Sequence, residues 1–102
     1  MSITVNTNES NKTSSIKISG KFDFSVQREF RDAYRDNNEA GMEYIIDLSQ
    51  TEYIDSSALG MLLLIKEHAE AQKGNVRLVR PASAIQKILT MANFEQLFQI
   101  EQ

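Results

Sequence analysis

Two hydrophobic periods run through the chain. Ile3 and Val5, then Ile16 and Ile18, alternate with polar neighbours, which predicts two strands with one buried face each. Residues 6–15 between them are rich in Asn, Ser and Thr and predict the turn of an antiparallel hairpin. Gly20 closes the second strand, and Lys21-Phe22-Asp23-Phe24-Ser25 leads into a helix where Val26, Phe30, Ala33 and Tyr34 recur at helical spacing. Asp23 or Ser25 is its expected N-cap, and Gly41 its expected stop. Residues 44–48, with Ile54 after them, predict a strand without clean alternation, as expected where both faces are covered.

The run from Ala58 to Ile65 is apolar, too long for a strand and free of β-branching until Ile65, so it predicts a helix. Lys73 and Gly74 close that helix as a cation in the last turn followed by a C′ glycine. Val76, Leu78 and Val79 predict a further strand, stopped by Pro81. Ser83 and Gln86 have capping-box spacing and open a helix through Ile85, Ile88, Leu89 and Ala92. Phe94, Leu97, Phe98 and Ile100 make a short packed segment or a last edge strand. Strand and helix alternate three times after the hairpin. That order predicts an α/β fold with a mixed, mostly parallel sheet of four to five strands and helices packed on it. Asp23 and Ser56 then lie in loops after neighbouring strands and should be close in space.

Chemistry concentrates at Asp55-Ser56-Ser57, between strand and helix. One carboxylate and two hydroxyls suit the free N–H groups of a helix start, as a plain cap contributing about 1 kcal/mol. The same positive end of the helix also suits a phosphate. The apolar run 58–65 covers the whole circumference for two turns, whereas a helix lying on a sheet needs only a stripe. The surplus must meet a neighbouring helix or another protein. A hydroxyl beside such a surface is a good switch, because phosphate adds about −1.5 to −2 charges where a partner docks.

Composition narrows the function by exclusion. With 102 residues, a single domain spanning 1–102 is expected. A formal net charge of −3 offers no reason to expect nucleic acid or an anionic membrane. Cysteine is absent, which excludes disulfides and thiolate chemistry. The N-terminal residues lack a secretory pattern, and no apolar run approaches the length of a membrane span, so a cytoplasmic protein without membrane insertion is expected. His68, the lone histidine, is expected to face solvent, which leaves no Ser-His-Asp set. The four glycines are scattered and form no phosphate loop. Asp23, Asp47 and Asp55 are candidates to gather round a Mg²⁺, but two already suit turn or cap roles, so neither metal nor cofactor is expected. Arg28, Arg31 and Arg35 share a helix face with Glu29, Asp32 and Asp36 interleaved, which reads as a solvated face.

Ile54-Asp55-Ser56-Ser57-Ala58-Leu59-Gly60 resembles the signature of STAS-domain proteins, in particular the small bacterial anti-sigma factor antagonists. Residues 16–23, a strand followed by Gly20 and Asp23, resemble that family's second element. The turn Pro81-Ala82-Ser83 and the helix after it also fit, so the resemblance covers essentially the whole chain. Ala58 departs from it, since the family usually has glycine there. The resemblance implies a STAS fold; no catalysis of its own is expected, because no base, metal set or phosphate loop is present. In its unphosphorylated form the protein would bind an anti-sigma factor and free a sigma factor. A Ser/Thr kinase, often the anti-sigma factor itself, would phosphorylate Ser56, and a Ser/Thr phosphatase would reset it. Ser57 is the main rival acceptor and Thr51 a distant third. The expected docking surface comprises Asp23, Asp55, Ser56, Ser57, Leu59 and Met61. STAS subunits also serve membrane transporters as partners of an ABC-type ATPase; many lack the serine, so Ser56 weighs against that role.

Overall fold

The computed structural model describes residues 3–102, so Met1 and Ser2 of the expected 1–102 domain lie outside the described residues. β1 (Ile3–Asn8) and β2 (Thr13–Ile18) pair antiparallel in unbroken register. Their turn is shorter than residues 6–15, because polar side chains here hold the ladder together. Thr7 Oγ1 and Ser14 Oγ lie 3.0 Å apart, and Asn8 Oδ1 accepts from the Ser10 N–H at 3.1 Å. β4 (Glu43–Asp47), β6 (Asn75–Val79) and β7 (Gln99–Glu101) complete a five-stranded sheet in the order β1-β2-β4-β6-β7. All its pairings after the hairpin are parallel, giving the mixed, mostly parallel sheet of an α/β fold.

Three helices, α1 (Gln27–Asp32), α2 (Ser56–Ala71) and α3 (Ser83–Met91), contribute to the core. Ile16, Ile18, Tyr44, Ile46 and Leu78 meet Phe30, Leu62, Ile65 and Leu89 there, all buried. β4 alternates after all: Tyr44 and Ile46 are buried, while Glu43, Ile45 and Asp47 are only half-buried. The sheet is therefore covered on one face, not two. Its other face carries Arg77, which donates to both carboxylate oxygens of Glu101, at 2.8 and 2.9 Å, and to Glu43 at 3.4 Å.

Because β2 already stops at Ile18, Gly20 does not close the second strand as expected. It adopts φ +82°, turns the chain and opens a new strand, β3 (Gly20–Phe22). Nor does β4 run on toward Ile54: residues 49–50 form a turn, and β5 (Thr51–Ile54) is a separate strand pairing parallel with β3. The side chain responsible is Thr51, buried, with its hydroxyl donated to the Ile18 carbonyl at 2.8 Å. It locks this small ladder against the end of β2.

Four further expectations are corrected. α1 stops at Asp32 and frays through turns, well before Gly41. Asn37 uses its side chain to accept the Glu39 N–H, which offers the backbone a non-helical partner. At the end of α2 the left-handed residue is Lys73, at φ +63°, with Gly74 N–H reaching the Ala69 carbonyl at 2.7 Å. Gly74 is needed for space instead: a Cβ there would lie 2.0 Å from the Met42 carbonyl oxygen. Ser83 is the first residue of α3, whose N-cap is Ala82 without a side-chain hydrogen bond, so no capping box forms. His68 does not simply face solvent. Its Nε2 lies 2.7 Å from the Asn37 carbonyl oxygen and its ring contacts Tyr34 and Tyr44 edge-on.

Candidate functional site

β3 and β5 run parallel and end together, with Phe22 and Ile54 as direct partners, both buried. The next residue in each chain is an aspartate, so Asp23 and Asp55 emerge side by side from one small ladder. Each then caps a helical turn in the same way. Asp23 is extended (φ −141°), and its Oδ1 accepts the Ser25 N–H at 3.0 Å and the Ser25 hydroxyl at 2.6 Å. Asp55 is extended (φ −127°), and its Oδ1 accepts the Ala58 N–H at 3.1 Å and the Ser57 hydroxyl at 2.7 Å. Two Asp-x-Ser turns thus stand next to each other, each with its serine tied back to its aspartate. Extended backbone at the aspartate and a side-chain oxygen facing the first free N–H groups are what an N-cap requires.

The residue between aspartate and serine is left free in both turns. In the first it is Phe24, 65% exposed at the start of a short 3-10 turn (Phe24–Val26). In the second it is Ser56, exposed at the first position of α2, with no hydrogen bond to its hydroxyl among the described residues. The two serines of the motif are therefore not equivalent. Ser57 is half-buried and committed to Asp55, whereas Ser56 offers a free hydroxyl at the positive end of a 16-residue helix. Thr51 is 3% exposed and bonded to Ile18, out of reach of any modifying enzyme. The Asp55 carboxyl is held below its ordinary value by the Ser57 hydroxyl and the Ala58 N–H, so it stays ionised beside Ser56 at neutral pH.

Along α2, residues three and four apart share a face. From Ser56 that face continues through Leu59 and Gly60, both half-buried, to Leu63, 41% exposed; Leu64, 52% exposed, borders it. Of the apolar run 58–65, Leu63 and Leu64 are thus left exposed by the described residues. Met61, expected on this surface, is 5% exposed and packs in the core with Ala58, Leu62 and Ile65. It sits five residues after Ser56, well over a third of a turn away from it, on the side facing the sheet. Phe24 and Tyr53 were not anticipated. Tyr53 is 48% exposed and partners Lys21 in the β3–β5 ladder, on the face opposite the buried Phe22 and Ile54. An aromatic flanking the Asp-x-Ser pattern was the available signal.

Of the three aspartates that suit a Mg²⁺, Asp47 is engaged apart from the adjacent Asp23 and Asp55. Asp47 accepts the Ser49 N–H at 2.9 Å and pairs with Arg80 at 2.9 Å. Partial burial pushes its carboxyl up, but Ser49 and Arg80 outweigh that and bring it below its ordinary value. Among the described residues no three His, Cys, Asp or Glu side chains gather to hold a metal ion. None of the helices described is long and apolar enough to cross a membrane.

The family model described as "Mlab, STAS domain" matches residues 5–100, and the chain belongs to this family. It is 41% identical over 100 residues to a STAS-domain containing protein of Pseudomonas aeruginosa (strain UCBPP-PA14), covering 98% of this chain and 99% of that one. Its fold is similar to that of the anti-sigma factor antagonist SpoIIAA in its unphosphorylated form, with a TM-score of 0.82 at 18% identity over 98% of this chain and 88% of that one. A sulfate transporter family protein from Wolinella succinogenes shares it too, with a TM-score of 0.78 at 16% identity over 88% and 76% of the two chains. At such identities the likeness is one of fold.

Proposed function

We propose that this protein is an anti-sigma factor antagonist whose docking surface is switched by phosphorylation of Ser56. One observation carries the reading: of the two serines in the motif, Ser57 is bonded to Asp55 and Ser56 is exposed and unbonded. In the unphosphorylated state an anti-sigma factor docks on Asp23, Asp55, Ser56, Ser57 and Leu59, with Phe24 and Leu63 as the exposed apolar anchors. Docking there frees a sigma factor. A Ser/Thr kinase, which can be the anti-sigma factor itself, directs the Ser56 hydroxyl oxygen onto the γ-phosphorus of ATP, releasing ADP and a proton. A Ser/Thr phosphatase hydrolyses the ester and restores the serine. In this scheme the chain supplies the acceptor and no catalysis of its own, and it works in the cytoplasm as a single domain of 1–102.

The phosphate acts locally. At the start of α2 it meets the positive end of the helix, a favourable contact worth about 0.3–1 kcal/mol when exposed, so the fold persists. It also sits beside two carboxylates on a surface shaped for a neutral hydroxyl. Burying that unpaired charge costs several kcal/mol and lowers affinity about a hundredfold or more.

A second reading, a STAS subunit serving a membrane transporter beside an ABC-type ATPase, is favoured by the similarity of fold to the sulfate transporter family protein. Affinity purification from the native cell separates the two: an anti-sigma factor or Ser/Thr kinase supports the switch, and an ATPase supports the transporter. Phosphosite mapping after incubation with the cognate kinase and ATP tests the acceptor, and label persisting in Ser56→Ala rejects it.

A further inference from the structure

The two edges of the main sheet are built differently. β7, at one end, is three residues long, and its Glu101 is held by Arg77 through its side chain and by the Arg80 N–H through its carbonyl. β1, at the other end, is six residues long, and Thr4 to Asn8 are all exposed. Its sequence, Ile3-Thr4-Val5-Asn6-Thr7-Asn8, contains no charge and no proline, and its pairing with β2 has no bulge. Edges that must stay single are blunted by one of these devices. In an antiparallel pair, alternate residues of the outer strand turn both N–H and C=O away from the partner, so β1 presents a row of unmet backbone groups.

A trough runs beside this edge, between β1 and α1. Its first part, about 270 Å³, is lined by Ile3, Val5, Glu29, Asp32 and Ala33. Its second, about 650 Å³, continues past Thr7 to Glu9, Asp36 and Glu39. Ile3, Val5 and Thr7 are alternate residues and line the trough from one face of the strand. Among the described residues the lining carries five carboxylates and no cation. Arg35 pairs with Asp32 at 3.1 Å and with Asp36 at 3.5 Å, but Glu9, Glu29 and Glu39 form no ion pair among the described residues. Glu29 Oε2 is buried and has no hydrogen-bond partner among the described residues.

We propose that β1 is a docking edge for an extended basic segment of another protein, which adds as a sixth strand. Its backbone satisfies the open groups of β1, and every second side chain, a Lys or Arg, lies in the trough. There the aliphatic stems cover Val5 and Ala33 while the cationic heads reach Glu29 and Glu39. A second copy of this chain is a poorer occupant, because antiparallel β1–β1 pairing would bring two acidic troughs together.

The test uses the full chain and three labelled peptides: acetyl-Thr-Lys-Thr-Arg-Thr-Lys-Thr, the same peptide with its central residues Thr-Arg replaced by Pro-Arg, and one with glutamate at each basic position. The first should bind, more weakly as salt rises, and should slow hydrogen exchange of alternate β1 amides. The proline and glutamate peptides should bind at least about tenfold more weakly, the former because a strand donor is lost. Val5→Lys should weaken the first peptide by a similar factor, and Glu29→Gln should weaken it while leaving thermal unfolding intact. The proposal is overturned if no peptide binds at millimolar concentration, if the proline peptide binds equally well, or if Val5→Lys changes nothing. It is also overturned if the β1 amides gain protection with protein concentration alone, which would seat a second copy on the edge.

Discussion

The Ser57 hydroxyl donates to Asp55 Oδ1 at 2.7 Å, and this single bond makes two adjacent serines chemically distinct. It ties Ser57 into the cap and leaves Ser56 to the solvent. The same aspartate oxygen accepts the Ala58 N–H, so the cap and the presentation of Ser56 are one arrangement.

The switch should be separable from the fold. Ser56→Ala is expected to keep its anti-sigma partner, while Ser56→Asp and Ser56→Glu lose about a hundredfold in affinity with little change in melting temperature. Thermal unfolding beside a binding isotherm for each variant checks this. A Ser56→Asp protein that unfolds many degrees lower, or binds as Ser56→Ala does, rejects a local electrostatic switch.

Asp55→Ala should lose stability through the lost N-cap, whereas Asp55→Asn, which keeps a neutral acceptor but not the charge, should lose less. Urea unfolding midpoints compare the two. Equal losses would mean that charge, not the cap bond, matters.

Acid should weaken the protein through the same residue. The Asp55 and Asp47 carboxyls are held below the 3.8 of an unperturbed aspartate, so both are easier to ionise folded than unfolded. Their contribution is present above that value and is lost as the pH falls through the lower folded values. Asp55→Asn should show a shallower loss of stability between about pH 5 and pH 2 than the parent chain. Unfolding midpoints across that range would read it, and identical slopes would remove Asp55 from the account.

Two glycines should respond oppositely to alanine. At Gly74 a Cβ meets the Met42 carbonyl oxygen at 2.0 Å, so Gly74→Ala must displace backbone and should cost at least about 1–3 kcal/mol. At Gly60 a Cβ meets nothing within 4 Å, so Gly60→Ala should gain about 0.5–1 kcal/mol from helix propensity. Calorimetry of both variants checks the sign at each.

Leu62 and Leu63 are neighbours in sequence with opposite duties. Leu62→Ala should cost about 2–5 kcal/mol of stability, since the side chain is fully buried. Leu63→Ala, at a 41% exposed position, should change stability by less than about 0.5 kcal/mol but weaken partner binding. Full partner affinity in Leu63→Ala would remove this face of α2 from the docking surface.

Local chemistry was enough to locate the hairpin, the three helices, the parallel sheet and the Asp55 cap, because periodicity and capping act over a few residues. It also singled out Ser56 and Ser57, but not which of them is free. That depends on where the Ser57 hydroxyl turns, which only the folded backbone fixes. β3 and β5 were hidden for a related reason. Each is three or four residues long and exists by pairing with the other, a contact between segments about thirty residues apart. Met61 shows the reverse case: its helical angle from Ser56 was available in the spacing, and burial followed from it. The closeness of Asp23 to the Ser56 turn followed from the order of strands and loops, whereas the exposed Phe24 and Tyr53 and the open edge of β1 belong to tertiary structure alone. Register and strand order decide which side chains are covered, and no local pattern encodes them.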